Sequence, residues 1–133
     1  MRKAQNMGEM KTFLGLFFAL VLWVSPAAAR EPVFRLFAEC AGRASAEMEH
    51  GWLMGRADAA IHQAQREEFI TLLWATQTKE QARAALNYRI EVKLAHSALL
   101  TLATFGTDEA RSARARLQAR AYVQAWQNML LGS

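Results

Sequence analysis

The residues best suited to carry chemistry lie in the short segment Glu47-Met48-Glu49-His50. Glu47 and His50 are three residues apart, so a helix would place their carboxylate and imidazole on one face. Helical di-iron proteins use this Glu-x-x-His spacing, but they need it twice, together with glutamates from two further helices. The chain contains no second copy, since Glu91 and His96 are five residues apart. The spacing is therefore interpreted as a coincidence and not as a di-iron site.

A candidate metal site surrounds the first predicted turn. His50 and Met54 are four residues apart, and His62 follows Arg56 by as many residues as His50 precedes it. A helical hairpin that turns near Arg56 would bring the two histidines to a similar height, with Met54 nearer the bend. Imidazole and thioether groups together suit copper, so His50, Met54 and His62 form a copper hypothesis. The favoured interpretation is that they are partly exposed polar residues beside a loop.

A histidine and a methionine from different helices could instead ligate haem, with His96 and either Met48 or Met54 as the pair. The chain has no C-x-x-C-H attachment motif, and Met48 also suits the role of a core gap-filler. Copper and haem therefore stay alternatives, and the expected cofactor is none.

The sequence lacks the common catalytic motifs. It has no H-E-x-x-H, no G-x-S-x-G and no glycine-rich phosphate loop. A cysteine nucleophile would have to pair Cys40 with His50, His62 or His96. Cys40 and His50 would lie about 15 Å apart along one helix, which excludes that pair, and nothing in the sequence supports the others. The sequence thus predicts a protein that is not an enzyme.

The charge distribution gives no sign of nucleic-acid binding. From Arg30 onward the chain has 13 Lys and Arg against 11 Asp and Glu, whereas nucleic-acid binders concentrate positive charge on one face. Four arginines crowd the last predicted helix, but at about 100° per residue they spread over more than half of its circumference. They are Arg111, Arg114, Arg116 and Arg120. A solvated outer face explains them best, and a surface for an acidic partner is the second interpretation.

Four helices must position these residues, and three turn signals separate them. The signals are Gly55 followed by Asp58, Thr78 with Gln81 at capping-box spacing, and Gly106 followed by Thr107 and Asp108. They predict helices over 33–54, 58–76, 79–105 and 108–131. Because the connections are short, neighbouring helices should pack antiparallel, so the fold class is an all-α, up-down four-helix bundle preceded by a signal-peptide helix.

Apolar spacing gives each helix a predicted core face. In the last helix this face is an alanine-rich stripe, Ala110, Ala113, Leu117, Ala121 and Ala125. The first helix is the least secure, because Gly42 and Gly51 each weaken it by about 1 kcal/mol relative to alanine.

The first 29 residues have the pattern of a secretory signal peptide. Basic residues precede the uncharged run Thr12–Val24, which at 13 residues is shorter than the roughly 20 that span a bilayer. Residues 27–29 are alanines and offer a cleavage site after Ala29, and Met10 is a candidate true start. We expect a single domain over residues 30–133 that is periplasmic or secreted and not stably inserted in the membrane after cleavage. An uncleaved anchor is the alternative.

The run from Cys40 to Leu53, CAGRASAEMEHGWL, resembles a segment of small exported helical proteins of alphaproteobacteria. The resemblance implies export and helical character, and it implies no catalytic residue. A role shared with those proteins would place contacts to a partner at Cys40, Arg43, His50 and Trp52. The competing interpretation is that this helix is simply the best-packed element of the bundle. As the only cysteine of the chain, Cys40 cannot form an internal disulfide, and we expect it to be buried.

The sequence alone therefore favours a non-enzymatic periplasmic protein that binds a protein or envelope partner through a helical face, and no nucleic acid. The alternative is a helical bundle that binds a metal or haem.

Overall fold

The computed structural model describes residues 32–132, which form four α-helices and no strand within that range. The helices are α1 (Val33–Leu53), α2 (Ala59–Thr76), α3 (Ala82–Phe105) and α4 (Glu109–Leu131). The all-α class and the number of helices are confirmed, although α3 begins three residues after its predicted start at residue 79. The predicted signal peptide and the candidate start at Met10 lie outside the described residues. None of the helices described is both long and apolar enough to cross a bilayer.

The turns follow most of the predicted signals. Gly55 adopts a positive φ of 63°, which favours glycine. Thr78 and Gln81 form the reciprocal capping box, in which each side-chain oxygen accepts a hydrogen bond from the backbone N–H of the other residue. Asp108 caps α4 by accepting from the N–H of Arg111 at 3.0 Å. Asp58 occupies the predicted N-cap position of α2, but its carboxylate makes no cap hydrogen bond and pairs with Arg56 instead.

Helix α1 is the centre of the domain, since it packs along both α2 and α3, while α4 packs along α3. Small residues allow this close approach. A Cβ atom on Gly42 would lie 2.5 Å from the carbonyl oxygen of Arg89 in α3, and one on Gly51 would lie 2.9 Å from Cβ of Ala59 in α2. The two glycines that weaken α1 as an isolated helix are therefore the positions at which its neighbours touch its backbone.

The core contains few large side chains, of which Trp126, Phe69 and His96 are the largest that are fully buried. Trp126 of α4 packs in one cluster with Phe69 of α2 and Cys40 of α1. The alanine stripe predicted as the core face of α4 is wrong, because Leu117 on it is 66% exposed. The buried face of α4 is formed by Ser112, Ala115, Ala119 and Trp126.

Candidate functional site

A buried pair of polar side chains joins α1 to α3. His96 Nε2 lies 2.9 Å from Glu47 Oε1, and the side chains of the two residues are 0% and 4% exposed. On the other side of the ring, Arg43 Nη1 lies 3.5 Å from His96 Nδ1. An arginine can only donate, so this contact makes Nδ1 the acceptor and places the ring proton on Nε2. His96 then donates to a Glu47 carboxylate.

The guanidinium of Arg43 links this pair to a wider polar network. Arg43 Nη2 donates to Glu39 Oε1 at 2.8 Å, and Tyr88 Oη reaches Glu39 Oε2 at 3.4 Å. The Arg43 guanidinium also lies over the ring of Tyr122, 3.5 Å from its centroid. Groups from α1, α3 and α4 thereby surround the positive charge, so Arg43 is fixed by packing as well as by ion pairing.

Glu47 also lies on the wall of a cleft of about 530 Å³, a volume within the range of about 300–1,000 Å³ usual for small-molecule sites. Its Oε1 accepts from His96, whereas Oε2 has no hydrogen-bond partner among residues 32–132. The cleft also has apolar walls, which include Ile61, Leu100 and Val123. A buried carboxylate with one oxygen unpaired within the described residues therefore lines this cleft.

Three arginines line the same cleft. Arg56 is paired with Asp58, and Arg116 is paired with Glu109 and with the carbonyl of Ala103. Arg120 makes no hydrogen bond or ion pair within the described part of the chain. Pairing with Arg56 lowers the pKa of Asp58 below its ordinary value, so that carboxylate is ionised at neutral pH. The cleft thus presents charges of both signs.

The structure brings together two of the three residues of the copper hypothesis. His50 and His62 both line the cleft, whereas Met54 does not and is 42% exposed. His50 Nε2 lies 3.0 Å from Thr104 Oγ1 of α3. Within residues 32–132, no group of three or more His, Cys, Asp or Glu side chains is arranged to hold a metal ion.

His62 is packed into the core and is held by neighbouring polar groups. Its Nδ1 lies 3.1 Å from Gln65 Oε1, which also accepts from the indole N–H of Trp126 at 3.3 Å. Its Nε2 lies 3.8 Å from Asp58 Oδ2, and its ring meets the Trp126 ring edge-on. His62 thus joins the start of α2 to α4.

The residues proposed for partner contact fall into two groups. Cys40 is buried and Arg43 is held in the polar network. Burial, reinforced by the neighbouring Glu39 carboxylate, raises the pKa of the Cys40 thiol to about 12, so the thiol is protonated and a poor nucleophile at neutral pH. Trp52 is 55% exposed, and the partly exposed His50 lines the cleft. Only Trp52 and His50 are thus placed to touch another molecule.

Exposed apolar side chains occur near Trp52, at the ends of α1 and α3. Leu53 and Met54 follow it at the end of α1 and are 73% and 42% exposed, and Phe105 at the end of α3 is 58% exposed. The contact of His50 with Thr104 brings these two helix ends together. We call Trp52, Leu53, Met54 and Phe105 the apolar end; it adjoins the cleft, because its members follow the lining residues His50 and Thr104 in the chain.

Sequence reasoning missed the pair of Glu47 and His96. It paired Glu47 with His50 by local spacing and considered His96 only as a haem ligand or as a partner for Cys40. The partners are 49 residues apart on different helices, so no local pattern marks them.

No family model, curated protein or solved structure matches this chain.

Proposed function

We propose that this chain is an exported, non-enzymatic helical protein that binds a protein partner through its apolar end. The observation that carries the proposal is the grouping of Trp52, Leu53, Met54 and Phe105, all exposed, at the adjoining ends of α1 and α3. Exposed apolar side chains that cluster mark interaction sites, whereas single ones are ordinary. Tryptophan also dominates the binding energy of many protein interfaces.

The surroundings of the apolar end favour a protein over a lipid surface. Charged side chains of both signs, among them the Arg56–Asp58 pair and Arg120, line the adjoining cleft. Apolar anchors with a polar rim are typical of protein interfaces, whereas helices that lie on membranes present a continuous apolar face with lysines and arginines opposite. The partner is therefore expected to offer an apolar patch bordered by polar groups.

The proposal includes an up-down order of the helices and export through residues 1–29. Contacts between Gly51 and Ala59 and between Gly106 and Ser112 join the facing ends of consecutive helices, which supports the alternating order. Export is supported by the sequence pattern alone. Its test is the intact mass of the protein from the periplasmic fraction: a chain that starts at Arg30 agrees with the proposal, and a chain that keeps residues 10–29 contradicts it.

Two exposed tryptophans provide a matched experiment for the apolar end. A photo-crosslinking amino acid would replace Trp52 in one variant and Trp74 of α2, which is 69% exposed, in the other. We expect irradiation of cells to join one specific protein to the variant at position 52 and not to the variant at position 74. Recovery of lipid at position 52, or equal products at both positions, would contradict the proposal.

Alanine substitutions of the same two tryptophans measure how much each contributes to the affinity for the partner. With the captured partner purified, W52A should weaken binding by at least about tenfold, since truncation of an interface tryptophan commonly costs 2 kcal/mol or more. W74A should leave the affinity unchanged. Circular dichroism of both variants checks that the helices are retained.

A second candidate function is metal binding at His50 and His62, favoured by their common position on the cleft. Haem is the weaker form of this candidate, because His96 already uses Nε2 to reach Glu47 and has Arg43 at Nδ1. Elemental analysis of protein purified from the periplasm without chelator tests both forms. Copper in a one-to-one ratio that is lost in H50A would place this candidate first, and metal-free protein would remove it.

A further inference from the structure

We infer that the cleft beside Glu47 binds a small zwitterion, an apolar α-amino acid, with its ammonium group on Glu47 and its carboxylate on Arg120. The cleft adjoins the apolar end but contains none of its four residues, so the inference does not rest on the proposed partner. Three features carry the inference: the oxygen of Glu47 that has no partner within residues 32–132, the guanidinium of Arg120 that is also unpaired within that range, and the apolar walls of the cleft.

Glu47 is built to accept a hydrogen bond from a cation. Its side chain is 4% exposed, and the donation from His96 to Oε1 fixes its orientation. Oε2 is then the oxygen left to face the cleft, because Glu47 lines the cleft and no described residue donates to that atom. A buried carboxylate is costly unless its acceptor positions are filled. An ammonium group supplies three donors and an opposite charge.

The arginines make a simple cation a poor ligand. Arg56, Arg116 and Arg120 all line the cleft, and the first two are neutralised by their ion pairs with Asp58 and Glu109. No ion pair with another described residue offsets the charge of Arg120, and its guanidinium donors suit a carboxylate. A ligand with one negative and one positive group therefore satisfies both Glu47 and Arg120, and a ligand with only one of these groups leaves the other residue unpaired.

The apolar part of the cleft wall favours a ligand with an apolar side chain. Ile61, Leu100 and Val123 come from α2, α3 and α4, and each lines the cleft. Burying an aliphatic group against them contributes through the hydrophobic effect, in proportion to the area removed from water. The ligand class is accordingly the free aliphatic and aromatic amino acids.

The test is calorimetric titration of the full mature protein with leucine, valine and phenylalanine. Leucinamide, which lacks the carboxylate, and N-acetyl-leucine, which lacks the ammonium group, are the matched probes. We expect at least one of the three amino acids to bind and each leucine derivative to bind about tenfold or more weakly than leucine, because each leaves one charged group of the cleft unpaired. Absence of binding by all three amino acids, or equal binding by leucine and its derivatives, overturns the inference.

Three variants assign the two ends of the ligand. E47Q should weaken the binding of the amino acid about tenfold and leave N-acetyl-leucine unaffected, whereas R120Q should weaken the amino acid and leave leucinamide unaffected. E49Q is the control, since Glu49 lies two residues from Glu47 on the exposed side of α1 and pairs with Lys93. Because Arg120 is exposed, R120Q tests the assignment even if E47Q does not fold. If R120Q bound the amino acid with wild-type affinity, the assignment of the carboxylate to Arg120 would be wrong.

Discussion

Two acidic residues of α1, two positions apart, are each paired with a basic residue of α3. Glu47 meets His96 at 2.9 Å, and Glu49 meets Lys93 at 2.5 Å. The first pair has side chains that are 4% and 0% exposed, and the second has side chains that are 47% and 35% exposed. The two contacts join the same helices at similar distances, so burial is the main difference between them.

That difference decides what each pair does. Water screens the Glu49–Lys93 pair and replaces either partner at little cost, so the pair adds little to stability. Water cannot replace either partner of the Glu47–His96 contact, which therefore determines how α1 is rotated and shifted against α3. The apolar end and the cleft both depend on that alignment, because each is formed by residues of the two helices.

The largest expected effect is on the buried pair. E47A should lower the free energy of unfolding by about 3 kcal/mol, because it leaves the His96 N–H without an acceptor and removes packed atoms from the core. Chemical denaturation followed by circular dichroism measures the change. A loss below about 1 kcal/mol would show that the residue acts as an ordinary surface group.

A smaller loss is expected where α1 touches the backbone of α3. G42A should destabilise the protein by about 1–3 kcal/mol, because the new Cβ would lie 2.5 Å from the carbonyl oxygen of Arg89. Helix propensity alone predicts the opposite, a gain of about 1 kcal/mol. A lower denaturation midpoint therefore indicates that close packing of the helices dominates, and a higher one indicates that helix propensity dominates.

The N-cap residues of α4 and α2 differ in the same way, since only one of them makes a cap hydrogen bond. D108A should cost about 1 kcal/mol, since Asp108 accepts the hydrogen bond that caps α4. D58A is the matched control: Asp58 precedes α2 in the same way but makes no cap bond. Thermal unfolding of the two variants should show the larger loss for D108A. An equal or larger loss for D58A would mean that its contact with Arg56 replaces a cap in full.

The smallest effect is expected for the exposed pair. E49Q should change the free energy of unfolding by only about 0.5 kcal/mol, and added salt should reduce the difference further. Denaturation curves at low and high salt measure both quantities. A salt-independent loss of stability comparable with that of E47A would contradict the assigned difference between the buried pair and the exposed pair.

The local features of the fold could be predicted from the sequence, and the arrangement of its faces could not. The capping box of Thr78 and Gln81 and the cap at Asp108 each depend on residues three apart, so the chain carries their signal directly. The buried face of α4 was missed because alanines occur on all sides of that helix. Only the large ring of Trp126 distinguishes the buried face, and a pattern dominated by small residues outweighed it.

The candidate site shows the same limit. The sequence related the heights of His50 and His62 through the hairpin at one turn, and both residues line the cleft. It could not find the contact of Glu47 with His96, which depends on how two helices are rotated about their axes. Side-chain packing over the whole domain sets those rotations, and the buried small residues at positions 38, 41, 42, 44 and 46 give little sequence signal of which rotation is adopted.

The most direct test of the coupling between α1 and α3 is a pair of double-mutant cycles. One cycle combines E47A with H96A, the other combines E49A with K93A, and unfolding free energies are measured for every variant. We expect a coupling energy of about 1.5–3 kcal/mol for the buried pair and below about 1 kcal/mol for the exposed pair. Equal coupling energies in the two cycles would contradict the claim that Glu47 and His96 fix the two helices that form the cleft and the apolar end.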